Sequence, residues 1–369
     1  MKKITVSITS DLTTDQRVIR ICTTLQQMDF LVNVIARSFN DSLALDKYPF
    51  AATRIKCFFR KGFLQYAEFN TRLFFKLAFT KTDYYLANDL DTLLPNYIWS
   101  KLKNKKIFYD THEYFTGVPE LKDRHIKRKI WKLIEDYIFP KLQTVYTVNN
   151  SVKEKYEAEY GNKISVVRNL PMAVAVAQIP KPTHWENKII LLMQGAGINT
   201  GRGGLELLLA MPHLPDNFYL VYIGSGTLWQ TLKQKTIELK LTKRVEMLEK
   251  MPPSLLKQYT LLADIGFSLD GFNDINYLFN LPNKIFDYLQ AGVPVVATGI
   301  PEVERIVKDY KCGICIYELQ PQLIANAVLE ITKNTNEFNK LKENCIAASK
   351  ILCWENESEV LKKIYKPFL

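Results

Sequence analysis

Three short stretches of the chain combine residue types suited to chemistry. In Ile107-Phe-Tyr-Asp-Thr-His-Glu-Tyr-Phe115 an apolar run ends in His112, with Asp110 and Glu113 beside it. An imidazole among carboxylates acts as acid or base, or hydrogen-bonds a hydroxyl-rich ligand. The other three histidines, His125, His184 and His213, fall in helical or linker settings. In the second stretch, 191–211, a buried run enters a glycine-rich turn ending Gly201-Arg-Gly-Gly204, and a helix is expected from about Gly204. Gly203 allows close backbone approach, Arg202 offers a cation for phosphate, and a helix N-terminus attracts anions. Neither the dinucleotide fingerprint nor the P-loop spacing is present. The third stretch, 279–298, predicts a helix opening at Pro282 and ending at Gly292, followed by a buried strand. Asn283 and Asp287, four residues apart, share a face of that helix. Asp287 can accept from both hydroxyls of a ribose, while Lys284 and the helix N-terminus meet phosphate. The plainer readings are a helix cap, a solvated arginine and an exposed Asp–Lys face.

Alternating β-rich runs and helical stretches must position these groups, the pattern of β/α units around parallel sheets. Strands are expected at 4–9, 31–36, 84–88, 106–110, 144–148 and 164–168, then at 188–194, 217–223, 244–248, 263–267, 294–298 and 313–316. Ser10 to Asp15 opens a helix, with Thr13, Thr14 and Asp15 as capping residues. Residues 171–186 carry three prolines and no helical period, and read as a linker. The expected organisation is a domain over 1–170, the linker 171–186, a second domain over 187–353 and a final helix over 354–369. At 369 residues with 47% hydrophobic composition, two cores are the default. In such sheets ligands collect beyond the carboxyl ends of the strands. Gly224, in a tight turn after one strand, and Lys250 and Met251, in a loop after the next, fall at such ends.

The net charge of +11 is uneven: residues 1–170 hold 28 Lys and Arg against 18 Asp and Glu. A basic first half implies an anionic partner, such as a membrane surface. Residues 121–139 and 57–79 mix basic side chains with apolar ones at helical spacing, compatible with interfacial helices, though core helices with solvated faces are the plainer reading. No recognised nucleic-acid motif accompanies the charge, so nucleic acid is not expected. No uncharged run reaches the length needed to span a bilayer. Six scattered cysteines without a signal peptide read as reduced thiols in a cytoplasm, and Cys312-x-x-Cys315 as packed thiols.

Taken together, the opening SDLTTDQRV, YDTHEYF, VVRNLP, GRGGLELLLAM, VYIGSGT, the LEKMP loop and above all LPNKIFDYLQAGVPVVAT resemble the GT-B fold glycosyltransferases of the group that includes glycosyltransferase family 4. The resemblance implies an α/β fold of two Rossmann-like domains facing a central cleft. It further implies metal-independent, retaining transfer of a sugar from a nucleotide sugar, a UDP- or GDP-sugar, to a hydroxyl acceptor, with no cofactor. The second domain would bind the donor and the first a carbohydrate or lipid-linked saccharide acceptor. Asp287 takes the place of the second Glu of the family's Glu-x7-Glu motif on the ribose, Arg202 that of the basic residue on the diphosphate, and His112 that of the histidine near the donor sugar. The loop at Lys250 and Met251 would receive the base, with Gly224 on the donor side. Phe279 stands in register for the first motif Glu, so Asn280 or Asn283 is expected to cover its sugar contact. Gly197 stands where many relatives carry a second cation, for which Lys284 is the candidate replacement. Thr13, Thr14, Asp15, Asp110 and Glu113 are the expected acceptor-side residues. Asp89-Leu90-Asp91 matches the metal pattern of a different glycosyltransferase architecture and is set aside. Surface-polysaccharide or glycolipid synthesis at the inner face of the membrane is the expected setting. The alternatives are a nucleotide-sugar 2-epimerase of the same fold and a non-catalytic carbohydrate- or nucleotide-binding protein.

Overall fold

In the computed structural model the β-rich runs form two parallel sheets. The structure describes residues 1–369 except 41, 46, 47, 61, 119, 120, 122, 123, 174, 175, 273 and 274. The chain divides into two compact units, Met1–Asn169 with Glu355–Leu369, and Leu170–Trp354.

The first unit runs β1 (Lys3–Ser7), α1 (Gln16–Gln27), β2 (Leu31–Arg37), β3 (Ala51–Ile55), α2 (Gly62–Ala78), β4 (Tyr84–Asn88), α3 (Leu90–Leu102), β5 (Lys106–Thr111), α4 (His125–Ile138), β6 (Thr144–Thr147), α5 (Asn150–Tyr160) and β7 (Ile164–Val166). Its strands lie in the order β3-β2-β1-β4-β5-β6-β7. Asp15 caps α1 by accepting from the Val18 N–H, and Asn149 caps α5 through Val152, each satisfying an orphan donor of the first turn. The strand β3 has no counterpart among the expected strands. Its sequence, Ala-Ala-Thr-Arg-Ile, buries only Ile55, because an edge strand needs little apolar surface.

The second unit runs β8 (Ile189–Gly195), α6 (Gly204–Ala210), β9 (Phe218–Gly224), α7 (Trp229–Glu238), β10 (Val245–Glu249), α8 (Pro253–Thr260), β11 (Ile265–Ser268), α9 (Ile275–Leu278), α10 (Asn283–Gln290), β12 (Val295–Thr298), α11 (Pro301–Tyr310), β13 (Gly313–Ile316), α12 (Pro321–Thr332) and α13 (Thr335–Ile351). The strand order is β10-β9-β8-β11-β12-β13. Alternate residues of β8 feed opposite cores: Leu191 and Met193 join one cluster, Ile190 and Leu192 the other. A strand buried on both faces must be apolar throughout, which is why these runs were legible. Of the expected linker, Val174 and Ala175 lie outside the described residues, while Trp185 is buried in the core of this unit. The closing helix, α14 (Trp354–Tyr365), returns to the first sheet. There Tyr365 stacks on Phe108 at 4.4 Å, and Glu357 accepts two hydrogen bonds from the Arg168 guanidinium, at 2.6 and 3.0 Å.

All six cysteines are free thiols. Among the described residues no helix is long and apolar enough to cross a membrane.

In both sheets the strand order reverses beside the first strand, at β1/β4 and β8/β11, where ligands of such sheets collect. Two glycines let the second unit close tightly at that point. A Cβ on Gly224 would stand 1.8 Å from the Gly195 carbonyl oxygen. Gly203, which precedes α6 with φ of 70°, would put a Cβ 2.3 Å from that of Leu269. Gly203→Ala therefore meets both left-handed strain and a backbone-anchored clash. It is expected to destabilise the protein by about 2–4 kcal/mol in denaturant unfolding, and a change below ~0.5 kcal/mol would contradict this packing.

Candidate active site

At the reversal point of the first sheet, β4 and β5 pair so that Asn88 lies opposite Asp110. The residues that follow are thereby brought together. The His112 ring is clamped from both sides, Nδ1 at 3.1 Å from Asp89 and Nε2 at 3.2 Å from Asp110, and its backbone N–H donates to Asp89 at 2.7 Å. Asp110 is fully buried and receives a two-pronged hydrogen bond from Arg17 of α1, at 2.6 and 3.0 Å. A third Arg17 nitrogen donates to the Val167 carbonyl. Asp89 holds its clamp from a backbone of φ 57°, ψ 167°, a conformation that costs a non-glycine residue about 1–3 kcal/mol.

Burial works against charge on His112, but Asp89 and Asp110 outweigh it and hold its pKa at about 10. Burial likewise pushes Asp110 up, yet Arg17 and His112 prevail and hold it below the usual carboxylate range. Asp91, accepting from the Thr9 hydroxyl at 2.5 Å, is raised to about 8 by burial and then by Asp89. His112 is thus a fixed imidazolium with both nitrogens engaged, so it offers no vacant proton-accepting site near neutral pH.

This changes the expected role of Asp110. It was expected to face an acceptor, but it is inaccessible and instead positions His112. Glu113 is exposed beside it. Asp15 has both oxygens occupied, by the Val18 N–H and the Ser10 hydroxyl. The Thr13 hydroxyl donates to Asp11, and Thr14 is exposed. These three residues build the loop before α1. Asp89 and Asp91, set aside in the sequence, belong to this site, as does Arg17, for which the sequence carried no signal. Among the described residues no group of three or more His, Cys, Asp or Glu is arranged to hold a metal ion.

In the second unit, the loop after β8 carries Arg202 and the loop after β11 carries Asp270. The Gly271 N–H donates to the Gly201 carbonyl at 2.7 Å and ties the loops together. The Thr298 hydroxyl holds the Asp270 backbone carbonyl at 2.7 Å. The Asp270 carboxylate is fully buried. Its Oδ2 accepts from the Asn280 amide at 2.6 Å, while Arg202 Nη1 stands 3.8 Å from Oδ1. Oδ1 and Arg202 Nε are buried without a hydrogen-bond partner. Tyr277 of α9 lies under the guanidinium, 5.1 Å from its ring centre.

Lys284, in the first turn of α10, brings its ammonium to the end of β8, 4.0 Å from where a Gly195 Cβ would stand. Burial pushes its pKa down, Arg202 pushes it further, and Asp270 opposes. Two cations therefore feel the charge of one buried carboxylate, Arg202 at 3.8 Å. Arg202, Lys284 and Asn280 are brought together as expected residues. Asp270 is new: counting back eight positions from Asp287 leads to Phe279, while the acid that contacts Arg202 and Asn280 lies further upstream, before α9.

The remaining donor-side residues are more dispersed. Pro282 is the residue before α10, not its first helical residue. Asn283 is exposed and Asp287 half-buried on that helix, whose other face buries Ile285, Phe286, Tyr288 and Leu289. Lys250 is exposed, and Met251 packs partly against the core.

Because the folded-state pKa of His112 is raised, stabilisation by its charge is complete below its ordinary 6.5 and is lost as pH rises through about 10. An NMR titration should place the imidazole midpoint at about 10, and Asp89→Asn should lower it. A wild-type midpoint at 6.5 would contradict the clamp.

The fold is shared with known enzymes over its whole length. The sucrose-phosphate synthase of Thermosynechococcus elongatus superposes with a TM-score of 0.81 at 14% identity, covering 100% of this chain and 99% of that one. A glycosyltransferase of Rickettsia africae gives 0.76 at 15%, covering 99% and 98%. HepE of Anabaena, in a complex with UDP and glucose, gives 0.75 at 14%, covering 100% of both chains. At these identities the likeness establishes the fold. No curated protein matches by sequence. Residues 177–350, most of the second unit, match the family described as glycosyl transferases group 1, and the whole chain has the GT-B fold of the glycosyltransferases it superposes on.

Proposed function

We propose that the enzyme moves a sugar from a nucleotide-sugar donor, a UDP- or GDP-sugar, to the hydroxyl of a carbohydrate or lipid-linked saccharide, with retention at the anomeric carbon and without metal or cofactor. The observation that carries the reading is the surplus positive charge at the β8/β11 reversal. Among the described residues Asp270 is the carboxylate that opposes Arg202 and Lys284 there, and the site retains unpartnered buried polar atoms. A diphosphate supplies the missing negative charge. That HepE is described with UDP-glucose supports a uridine nucleotide sugar.

In this reading Arg202 and Lys284 hold the diphosphate, and their charge stabilises it more as it departs than while bonded to the sugar. Asp270 accepts from a hydroxyl of the transferred sugar through Oδ1, with Asn280 fixing the carboxylate. Asp287 takes the ribose diol, Asn283 adds a donor on the same helix face, and the loop at Lys250 and Met251 receives the base. Gly203 and Gly224 keep the backbone close to the nucleotide. The bond from the anomeric carbon to the phosphate oxygen breaks, the acceptor oxygen bonds on the same face, and the acceptor proton passes to the leaving phosphate. His112, already protonated, is not the base. The first unit takes the acceptor, and its excess of basic residues fits an enzyme of polysaccharide or glycolipid synthesis working in the cytoplasm at the inner face of the membrane.

A screen of UDP, GDP, ADP and CMP sugars by thermal shift, followed by turnover with saccharide acceptors, tests this. Arg202→Ala should lower kcat about 100- to 1000-fold with an unchanged melting temperature, and unchanged turnover would remove Arg202 from the site. An isomerised sugar formed without acceptor would instead mark a 2-epimerase. Nucleotide binding without transfer or hydrolysis would mark a non-catalytic binding protein.

A further inference from the structure

Helix α4 has two apolar faces. The inner one is seated on the first unit: Trp131 meets Phe115 and Tyr66 edge-on at 5.4 and 5.6 Å, Ile138 is buried, and Glu135 accepts from the Tyr156 hydroxyl at 2.9 Å. The outer one consists of Ile126, Ile130, Leu133 and Tyr137. Their spacing of four, three and four residues draws one narrow stripe along the helix. All four are exposed, Ile126 by 78% and Leu133 by 71%. Scattered apolar side chains on a surface need no explanation, but an aligned stripe on the side away from the core does.

Cations border the stripe. Lys129, three residues after Ile126 and four before Leu133, is exposed beside it, and Lys141 lies over the Tyr137 ring, while Arg124 and Arg128 are exposed at the start of the helix, off the stripe. The one exposed acid of the helix, Asp136, is already paired with Lys132. Tyr66, which touches Trp131, lies on α2, and the chain around the start of α2 is also apolar outward: Phe58 is 85% exposed, and Phe59, Phe63 and Leu64 are exposed with Arg60 among them. The start of α2 thus carries a second outward patch of the same unit in which aromatic and aliphatic side chains accompany a guanidinium group.

We infer that the outer face of α4, with the start of α2, docks on an anionic lipid surface, the apolar stripe entering the boundary between headgroups and acyl chains and the cations meeting lipid phosphates. A second copy of the chain fits this face poorly. A two-fold contact would join two faces each flanked by Lys129 and Lys141, with the one exposed acid, Asp136, already paired. The inference deepens the functional reading given above, because it makes a lipid-linked saccharide the natural acceptor.

Flotation of the full-length protein with phosphatidylcholine vesicles, with and without phosphatidylglycerol, tests it. Binding should require phosphatidylglycerol and weaken as salt rises. Ile126→Glu and Leu133→Glu should each lower vesicle affinity at least about 10-fold. So should the double variant Lys129→Glu/Lys141→Glu, with melting temperatures and donor hydrolysis in solution unchanged. The inference is overturned if the wild type ignores phosphatidylglycerol, if these variants bind like wild type, or if sedimentation shows a dimer that Leu133→Glu splits. Vesicle binding by a protein that fails to bind any nucleotide sugar would leave the docking face standing and remove the transferase reading instead.

Discussion

The second unit is organised around an unbalanced charge. A buried carboxylate, Asp270, stands 3.8 Å from the Arg202 guanidinium and acts electrostatically on the Lys284 ammonium, and a buried charge is expensive unless it is paired. One carboxylate cannot pair both cations fully. Burial is what chiefly lowers the Lys284 pKa, with Asp270 opposing and Arg202 adding to it, so further negative charge brought to the site relieves that cost. The architecture serves this arrangement. The loops after β8 and β11 are tied through Gly201 and Gly271, the Tyr222 hydroxyl donates to the Gly204 carbonyl at the start of α6, and Tyr277 underlies Arg202. A preorganised cationic site loses little in reorganisation when a diphosphate arrives or departs.

The first unit solves the opposite problem. Arg17, Asp110, His112 and Asp89 form a chain of alternating charge in which every charged group has a partner. Such a chain has no electrostatic demand left for a ligand. It fixes geometry, holding the ends of β4 and β5 and the start of α1 in one arrangement, with the strained Asp89 backbone retained by the contacts around it. Two sheets of similar strand order therefore carry sites of different character at equivalent positions, one closed and one open to an anion.

Much of this was legible in the sequence, and for identifiable reasons. Strands buried on both faces, such as β8 and β12, read as continuous apolar runs, and Arg202, Lys284 and Asn280 stood out because their types and neighbours suited phosphate or sugar. What failed depended on distance across the fold. Asp270 was hidden because it comes from the loop after β11, with α9 between it and α10, and only the fold brings it to Arg202 and Asn280. Arg17 looked like any helical arginine until β5 brought Asp110 beneath it. Asp89 and Asp91 looked like a metal pattern, and only the pairing of β4 with β5 reveals what Asp89 holds. Asp15 and Thr13, read as site candidates, are consumed in shaping their own loop.

The central claim is that the surplus charge at Asp270 exists to receive a diphosphate. Calorimetric titration of uridine and guanosine against UDP and GDP measures this directly, because the nucleoside lacks only the charged group. The account predicts that the diphosphate raises affinity on the order of 100-fold and that Lys284→Met abolishes most of that gain while leaving nucleoside binding alone. Equal affinities for nucleoside and diphosphate, or a gain untouched by Lys284→Met, would contradict it.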